Sequence, residues 1–452
     1  MKLEWRHFMR KEIVGLIQEC VKNKCINPPG GEIRSIRTIE RFLKSYGIEP
    51  EVFESDTERG NLYAEIVGTG DRPSLMFGPS HVDVVPVDDE TTWTVPPFEG
   101  VIKDGCVWGR GTSDMLFIVA CQTVVFAHLW KEGFKPRGDL KLLIVADEEA
   151  GGTYGIRYMV DNQPEKTKVD YAITEMGGLQ FTPHRYTYFY GEKGAFWLKL
   201  KIKGEEQHGS MPYKSRNALL LMADAAKRIS EYQPPRDISI IKRFLEGAGV
   251  GGIGKWLTTR QRLFPRMLKI ISRRNLAQAK LLNALSQMTM SPNLCQSGTK
   301  VNIVPGSAEL QVDIRTLPGQ DEVYVLRHLK RALGPLNEEI EIQELGIKEG
   351  GFSSVGTMSD PDSELVHLLR AVIRDAKDEE ADLIPMVSPG GTDARVLRQA
   401  FGTNAYGFNI ISDDMDANEI VKMIHGDNER VSLSTLDETA KAYYEIAKRF
   451  LS

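Results

Sequence analysis

The residues in this chain best suited to chemistry are carboxylates and histidines that follow short aliphatic segments. LLIVADEEAGG ends an aliphatic run on Asp147, Glu148 and Glu149, and DYAITEMGG places Glu175 after a similar run. An isolated acidic triplet is usually a solvated turn, because charged side chains are mostly exposed. Further residues of the same kind, in the same kind of place, argue for a different interpretation.

SLMFGPSHVDVV places His81 and Asp83 just past an apolar segment, and GRGTSDM places Asp114 where a loop enters a helix. IHGDNERVS places His425 in a loop before the last helix. Each has a structural alternative: a histidine satisfied within the fold, a rim position for Glu175, or a helix N-cap for Asp114. A shared crevice explains them together, because an open α/β sheet binds ligands beyond the carboxyl ends of its strands.

Several carboxylates that face one crevice repel one another unless a cation neutralises them, and a bound ion reverses the local electrostatics. Mixed imidazole and carboxylate ligands suit zinc, with cobalt or manganese as substitutes. The residue types therefore predict a site for divalent metal ions.

The apolar pattern indicates which elements position these residues. IRSIRTIERFLKSYG predicts an amphipathic helix closed by Gly47, and strand-like and helical segments alternate after it. This alternation indicates an α/β fold with a mainly parallel sheet flanked by helices. From AFWLKLKIKG onward, apolar and charged residues alternate, as in a sheet with one solvated face. We therefore predict a catalytic domain formed by residues 1–193 and 351–452, with a smaller α+β domain, 194–350, inserted into it.

The inserted domain has the pattern of a β-α-β-β-α-β unit, with TKVNIVPG and AELQVDIRTLPG as its two middle strands. Residues 236–280 interrupt it with eleven Lys or Arg and only two acids. A formal GxGxxG at 247–252 follows no buried strand, and no acidic residue for a ribose follows before Glu309, so we reject a dinucleotide site. A flexible basic surface segment is the better interpretation.

The composition excludes several classes of protein. A chain of 452 residues with 41% hydrophobic and 26% charged residues is typical of a globular protein of more than one domain. A net charge of −5 argues against nucleic acid or an anionic membrane as the main partner. No apolar run could span a bilayer, and the charged N-terminus has no signal-peptide core. Five cysteines without a CxxC pair indicate reduced thiols, and we expect a cytoplasmic protein.

The sequence resembles the co-catalytic zinc hydrolases that include acetylornithine deacetylase, succinyl-diaminopimelate desuccinylase, the aminoacylases and glutamate carboxypeptidases. The matching segments follow the family's order almost from end to end: SHVDVVP, WTVPPFEGVIKDGCVWGRGTSDM, ADEEAGGTYG, ITEMGG, QHGSMPYKSRNA, VNIVPGSAELQVDIRTLPG, SPGGTDAR and HGDNERVS. One departure is that the family often has a lysine soon after the SDM aspartate, where this chain continues Leu116-Phe117-Ile118. No ligand position is affected, so the departure concerns substrate choice.

The resemblance implies a zinc-exopeptidase-like catalytic domain with two divalent ions per chain, bridged by Asp114 and a water. His81 and Glu175 would complete one ion's ligands, and Glu149 and His425 those of the other.

Two residues would act around the ions rather than bind them. Asp83 would fix the ring of His81, a role that metal-bound histidines commonly require. Glu148 would be the general base. Paired ions can activate a water and hold the oxygens of a tetrahedral intermediate. Zinc lowers the pKa of bound water to about 7, so Glu148 could take its proton and pass it to the leaving nitrogen.

The predicted function is hydrolysis of an amide bond in small peptides, of the carboxypeptidase or dipeptidase type. An N-acyl amino acid deacylase would use the same site, and the sequence leaves this alternative open. A non-catalytic binding protein on the same fold should have lost ligands or the base, and all of these residues are present.

The resemblance also implies a homodimer formed through the inserted domain. His208, in QHGSMPYKSRNA, would reach across to the partner's active site and stabilise the developing oxyanion. The alternatives are a surface histidine in a loop, or a group supplied within one chain by the basic segment.

The substrate is expected to carry a free carboxylate beside the scissile amide. Asn302 and Arg315, predicted at the ends of neighbouring strands, would bind it, since arginine suits bidentate carboxylate recognition. A surface salt bridge with Asp313 is the alternative for Arg315. Another substrate-binding loop would contain Gly390, Gly391 and Thr392, because glycines without Cβ atoms allow close backbone approach.

Overall fold

The computed structural model describes residues 2–249, 260–345 and 353–452. Its residues form two compact units: Met1–Tyr190, Ser359–Met386 and Thr392–Ser452 make up the first, and Gly191–Met358 and Val387–Gly391 the second. The second unit is therefore formed by two separate segments of the chain, and the shorter one comprises only residues 387–391. The predicted boundary at residue 350 lies outside the described residues.

Strands and helices alternate along much of the described chain. In chain order, the strands are β1 (Glu51–Asp56), β2 (Arg59–Ile66), β3 (Leu75–His81), β4 (Val101–Lys103), β5 (Cys106–Trp108), β6 (Leu140–Val145), β7 (Tyr171–Thr174), β8 (Gln180–Thr182), β9 (Arg185–Glu192), β10 (Gly194–Lys203), β11 (Gln207–His208), β12 (Thr289–Ser297), β13 (Ile303–Val304), β14 (Ser307–Thr316), β15 (Ile340–Glu344), β16 (Ser353–Ser354), β17 (Thr357–Met358), β18 (Asp382–Ser388), β19 (Asn404–Gly407) and β20 (Arg430–Ser432). The α-helices span Lys2–Asn23, Ile33–Ser45, Phe117–Lys131, Tyr158–Asn162, Pro164–Thr167, Ala218–Glu231, Ser239–Gly247, Phe264–Ser272, Leu276–Ser286, Glu322–Leu333, Glu364–Ala376, Ala394–Phe401, Ala417–Met423 and Leu433–Phe450.

The first unit contains a mixed sheet in the order β1-β2-β6-β3-β7-β19-β9, with β8 and β18 also paired to β9. Its four middle strands, β6, β3, β7 and β19, run parallel to one another. Every residue of β3 and β6 is buried, as expected for parallel strands covered on both faces. These features confirm the predicted α/β fold class.

The helix Phe117–Lys131 packs against both terminal helices of the first unit. Contrary to the expectation that no apolar run could span a bilayer, residues Thr112–Lys131 are long and apolar enough to do so by length and composition. However, 89% of their most apolar window is buried. This burial identifies the segment as a core helix that leads directly out of the loop containing Asp114.

The second unit is built on an antiparallel sheet in the order β12-β14-β10-β15. Along β14 buried residues alternate with more exposed ones, which confirms the predicted sheet with one solvated face. Helices Ala218–Glu231 and Glu322–Leu333 cover the other face, where Leu200, Leu310 and Met222 are buried in one cluster.

One predicted strand of the second unit is wrong. TKVNIVPG was expected to be a main strand beside AELQVDIRTLPG, but only Ile303–Val304 is extended, and it pairs with Gln207–His208 in a separate two-stranded ribbon. The strand beside β14 is instead Thr289–Ser297, an exposed edge strand with a register shift at Pro292. Proline cannot donate to a ladder and is tolerated at such an edge.

The basic segment 236–280, predicted as a flexible excursion, contains helices in its described part. Ser239–Gly247 and Phe264–Ser272 lie within it, and Leu276–Ser286 begins in it. The glycine run follows a helix, which agrees with rejecting a dinucleotide fingerprint, and residues 250–259 lie outside the described residues.

Candidate metal centre

The parallel strands of the first unit bring the predicted residues to one edge of the sheet. His81 is the last residue of β3, and Glu175 directly follows the neighbouring strand β7. Glu148 and Glu149 lie in a short 3-10 turn after β6, the other neighbour of β3. The carboxyl ends of adjacent parallel strands meet here, which is why residues distant in sequence converge.

Asp114 lies between two imidazoles and offers a separate oxygen to each. Its Oδ1 is 3.4 Å from Nε2 of His81, and its Oδ2 is 3.3 Å from Nε2 of His425. Glu175 Oε2 lies 4.0 Å from Nε2 of His81, and Glu149 Oε1 lies 3.1 Å from Nε2 of His425. Asp114 thus offers one carboxylate oxygen towards each histidine, which suits a carboxylate shared by two metal sites.

Two ligand clusters are present among the described residues, each with donor atoms within 4.8 Å of one another: His81, Glu148 and Glu175, and Asp114, Glu149 and His425. Imidazole and carboxylate donors suit divalent ions such as zinc. Nε2 of His81 is buried and makes no hydrogen bond with any described residue. A buried nitrogen without a partner is costly unless it binds something else, so the residues fit a metal pair.

Glu148 belongs to the first cluster by distance, whereas the sequence predicted it as a base rather than a ligand. Burial and the charge of Glu175 raise the pKa of Glu148 well above its usual value. Burial and Asp114 likewise raise the pKa of Glu175. Without ions, protonated forms of Glu148 and Glu175 are thus favoured, whereas the neighbouring histidines lower the pKa of Asp114 despite its burial.

The pKa values of the two histidines are also raised, which favours their protonated rings. Burial disfavours the charged ring of His81, but Asp114 and Asp83 outweigh it and raise its pKa well above the usual value. Hydrogen bonding to Asp114 and Glu149 raises the pKa of His425 to about 10. Both shifts favour the protonated rings, so a metal ion would have to displace a proton from the imidazole nitrogen that it binds.

Asp83 supports both the imidazole and the acidic turn. Its backbone oxygen is 3.0 Å from Nδ1 of His81, and its Oδ1 is 3.4 Å from the same nitrogen. Its carboxylate also accepts the backbone N–H groups of Glu148 at 3.2 Å and Glu149 at 3.1 Å. The sequence suggested the contact with His81 but not this second role.

A buried polar network behind the turn was not foreseen from the sequence. Asn27 donates to Asp83 at 2.9 Å and to Asp147 at 3.1 Å. Arg59 forms buried ion pairs with Asp147 and with Glu32. Asp147 adopts a left-handed backbone conformation, with φ of 70°. This network fixes the start of the turn that carries the two glutamates.

Glu429 is a second unforeseen residue, although it lies within the motif HGDNERVS. Its carboxylate accepts the N–H groups of Ser113 at 2.8 Å, Asp114 at 3.0 Å and Gly111 at 2.8 Å, and it pairs with Arg110 at 3.0 Å. It therefore holds the loop that presents Asp114. The only sequence signal was an acidic residue close to His425.

The predicted substrate-binding residues lie mostly in the second unit. His208 is on β11 with Nδ1 2.7 Å from Ser210 Oγ. Asn302 precedes β13, and its backbone oxygen accepts the N–H of Gly209 at 2.8 Å. Because β13 pairs with β11, Asn302 is not on a strand next to β14 as predicted.

Arg315 lies on β14 and donates to Asp313 at 2.8 Å, which is the salt bridge expected as its alternative role. In the loop predicted to bind substrate, Gly390 and Gly391 belong to the second unit and Thr392 belongs to the first. The metal cluster itself lies wholly in the first unit.

The family profile described as peptidase family M20/M25/M40 matches residues 79–449. The chain belongs to this family. The match spans both clusters, so this M20 protein is a metallohydrolase of the family that the sequence resembled.

Two relatives and one solved structure illustrate the family's range. An uncharacterized metallohydrolase of Methanococcus maripaludis is 27% identical, over 97% of this chain and 99% of the relative. The human N-fatty-acyl-amino acid synthase/hydrolase is also 27% identical, over 83% of this chain and 73% of the relative. An M20 family metallo-carboxypeptidase from Sulfolobus solfataricus has the same fold, with a TM-score of 0.73 at 20% identity, covering 97% of this M20 chain and 99% of that one.

Proposed function

We propose that this M20 metallohydrolase cleaves an amide bond in small peptides, as a carboxypeptidase or dipeptidase. The main support for the proposal is the geometry of Asp114, whose two oxygens face His81 and His425, with the half-buried Glu148 in the cluster of His81. The name of the structurally similar metallo-carboxypeptidase supports the peptidase assignment.

We assign two zinc ions to the site. His81 and Glu175 would hold one ion, His425 and Glu149 would hold the other, and Asp114 would be shared by both. When bound, the ions supply Lewis acidity to the scissile carbonyl and activate water at neutral pH. Asp83 keeps Nδ1 of His81 engaged, which leaves Nε2 facing the ligand cluster.

Glu148 is the proposed general base. Its side chain is half-buried, and desolvation together with the charge of Glu175 raises its pKa well above the usual value, which favours holding a proton that a general base must also return. Glu148 would remove the proton of the attacking water and deliver it to the leaving nitrogen. Its backbone N–H is held by Asp83, so the side chain is presented from a fixed turn.

Hydrolysis of N-acyl amino acids is the second candidate function. It is supported by the name of the human relative. Both reactions cleave an amide at the same cluster, so they differ in the groups that recognise the acyl side of the bond.

For substrate recognition, we propose that Arg315 binds a free carboxylate, with Asn302 and the Gly390–Gly391–Thr392 loop also contributing. We further propose a homodimer formed through the inserted domain, with His208 stabilising the oxyanion in the partner's site, and a cytoplasmic location.

A substrate panel tests the assignment. The zinc- or cobalt-loaded protein should be assayed with dipeptides, with N-acyl amino acids, and with the C-terminal amide of each substrate that is cleaved. Turnover of dipeptides and not of their amides supports the peptidase proposal. Turnover confined to N-acyl amino acids supports the second candidate.

A further inference from the structure

The described part of the basic segment ends in a corner between two helices, Phe264–Ser272 and Leu276–Ser286. We define the basic corner as Lys269, Ile270, Arg273, Arg274 and Leu276. All five side chains are exposed, and the two aliphatic ones strongly so, at 49% for Ile270 and 58% for Leu276. The metal centre does not involve this surface.

Charge is strongly segregated in this chain. Residues 236–280 carry eleven basic and two acidic side chains, a net charge of +9, so the remainder of the chain carries −14. The average of −5 conceals this local excess. At physiological ionic strength charges act over about 8 Å, so acidic residues farther than this from the corner do not cancel its field.

The cations of the corner have no acidic partner among the residues that the structure describes. Within the described ranges, Lys269, Arg273 and Arg274 form no ion pair, and the exposed neighbours Arg262 and Arg266 form none either. Elsewhere in the second unit, the exposed Arg216 and the half-buried Lys201 do pair with carboxylates. The corner therefore presents unneutralised charge to a partner.

The corner is held firmly on the second unit. Phe264 and Leu285 are buried. The guanidinium of Arg236 lies 5.7 Å from the centre of the Phe264 ring. Buried Lys193 donates to the backbone oxygens of Ala284 and Gln287 at the end of the second helix. Ile270 and Leu276 are exposed on these anchored helices.

We propose that the basic corner docks the protein on an anionic lipid surface. Exposed aliphatic side chains flanked by Lys and Arg suit the boundary between headgroups and acyl chains, where apolar burial and charge attraction add. A nucleic acid would use the cations but has no place for Ile270 and Leu276, and no aromatic side chain for base stacking lies within the corner. The proposal does not depend on the proposed function.

The test is flotation of the full-length, metal-loaded protein with vesicles. We expect binding to equimolar phosphatidylserine and phosphatidylcholine vesicles, release by high salt, and no binding to pure phosphatidylcholine. The variant Lys269→Glu/Arg273→Glu/Arg274→Glu should bind at least about a hundredfold more weakly, because each lost cation contributes roughly fivefold and the three new carboxylates add repulsion. Ile270→Ser/Leu276→Ser should bind more weakly with its salt dependence unchanged.

The matched control is Lys227→Glu/Lys330→Glu/Arg331→Glu, which reverses three exposed cations elsewhere in the second unit. It should bind like the unmodified chain, and unfolding midpoints should show that all variants fold. Equal loss in the control, equal binding to both vesicle types, or binding to polyadenylate without binding to vesicles would each overturn the proposal.

Discussion

At the scale of single residues, the adjacent glutamates Glu148 and Glu149 are divided between two clusters. Asp83 accepts both of their backbone N–H groups, so the turn is fixed while the two side chains leave in different directions. The three adjacent carboxylates do not simply repel one another, because each faces different neighbours: Glu148 and Glu149 lie in different clusters, and Asp147 contacts Asn27 and Arg59.

Arg315 permits a prediction about substrate choice. If it binds the substrate carboxylate, Arg315→Ala should lower kcat/KM by about ten- to a hundredfold for acids, since hydrogen bonds to charged groups are worth about 1.5–3 kcal/mol. The corresponding C-terminal amides should be affected much less, and metal content should not change.

Lys201→Ala is a suitable control, since Lys201 pairs with Glu309 across the same sheet. An equal loss for acids and amides in Arg315→Ala would mean that the arginine supports the sheet through Asp313 and does not select the substrate.

At the scale of elements, the sequence predicted the positions of His81, Glu148, Glu149 and Glu175 because a local rule applies. Aliphatic runs end where buried parallel strands end, and the residues that follow share one edge. Glu429 could not be found in this way, because it acts on Asp114 across 315 positions of sequence.

Secondary structure in the second unit shows a different limit of prediction. The alternating apolar residues of TKVNIVPG suggested a half-buried strand, yet Val301 is fully exposed and Ile303 is 38% exposed. The true strand Thr289–Ser297 pairs on one side only and contains Pro292, so it lacks the pattern that burial imposes.

Glu429 supplies the prediction for the loop that presents Asp114. Glu429→Gln removes the charge that receives three backbone N–H groups and pairs with Arg110. Metal affinity should fall by about ten- to a hundredfold, as for other residues that orient ligands. Competition with a chelator measures this effect.

Glu419→Gln is the matched control, because Glu419 is an exposed carboxylate whose ion pair with Arg430, at 2.9 Å, lies on the surface. Unchanged metal affinity in Glu429→Gln would show that the loop holds its shape without this carboxylate.

At the scale of the whole molecule, metal binding is coupled to protons. The pKa of His425 is raised to about 10 and that of His81 is raised well above its usual value, so both shifts favour the protonated rings when no ion is bound. Ions require neutral rings, so loading should release protons and apparent affinity should rise with pH up to the raised pKa values. Calorimetry in buffers of different ionisation enthalpy measures the release, and an affinity independent of pH would contradict it.

Assembly of the molecule provides another prediction. His208→Ala protein should lose about 10²–10³ in kcat if His208 is an oxyanion donor. Mixing it with Glu148→Gln protein should restore about a quarter of the activity, because random exchange makes half of the dimers mixed and each has one intact site. No recovery would mean that His208 acts within its own chain or has no catalytic role.

The central claim is a paired-metal site with Glu148 as the base, and Glu148→Gln tests it most directly. The variant and the unmodified chain should be metal-loaded together and compared for bound ions per chain and for kcat on the best substrate of the panel. The account predicts two ions in both proteins and a loss of at least about a hundredfold in kcat for the variant, the lower end expected for general base catalysis. Near-normal kcat, or a variant that binds only one ion, would contradict it, since Glu148 would then be a dispensable residue or a ligand.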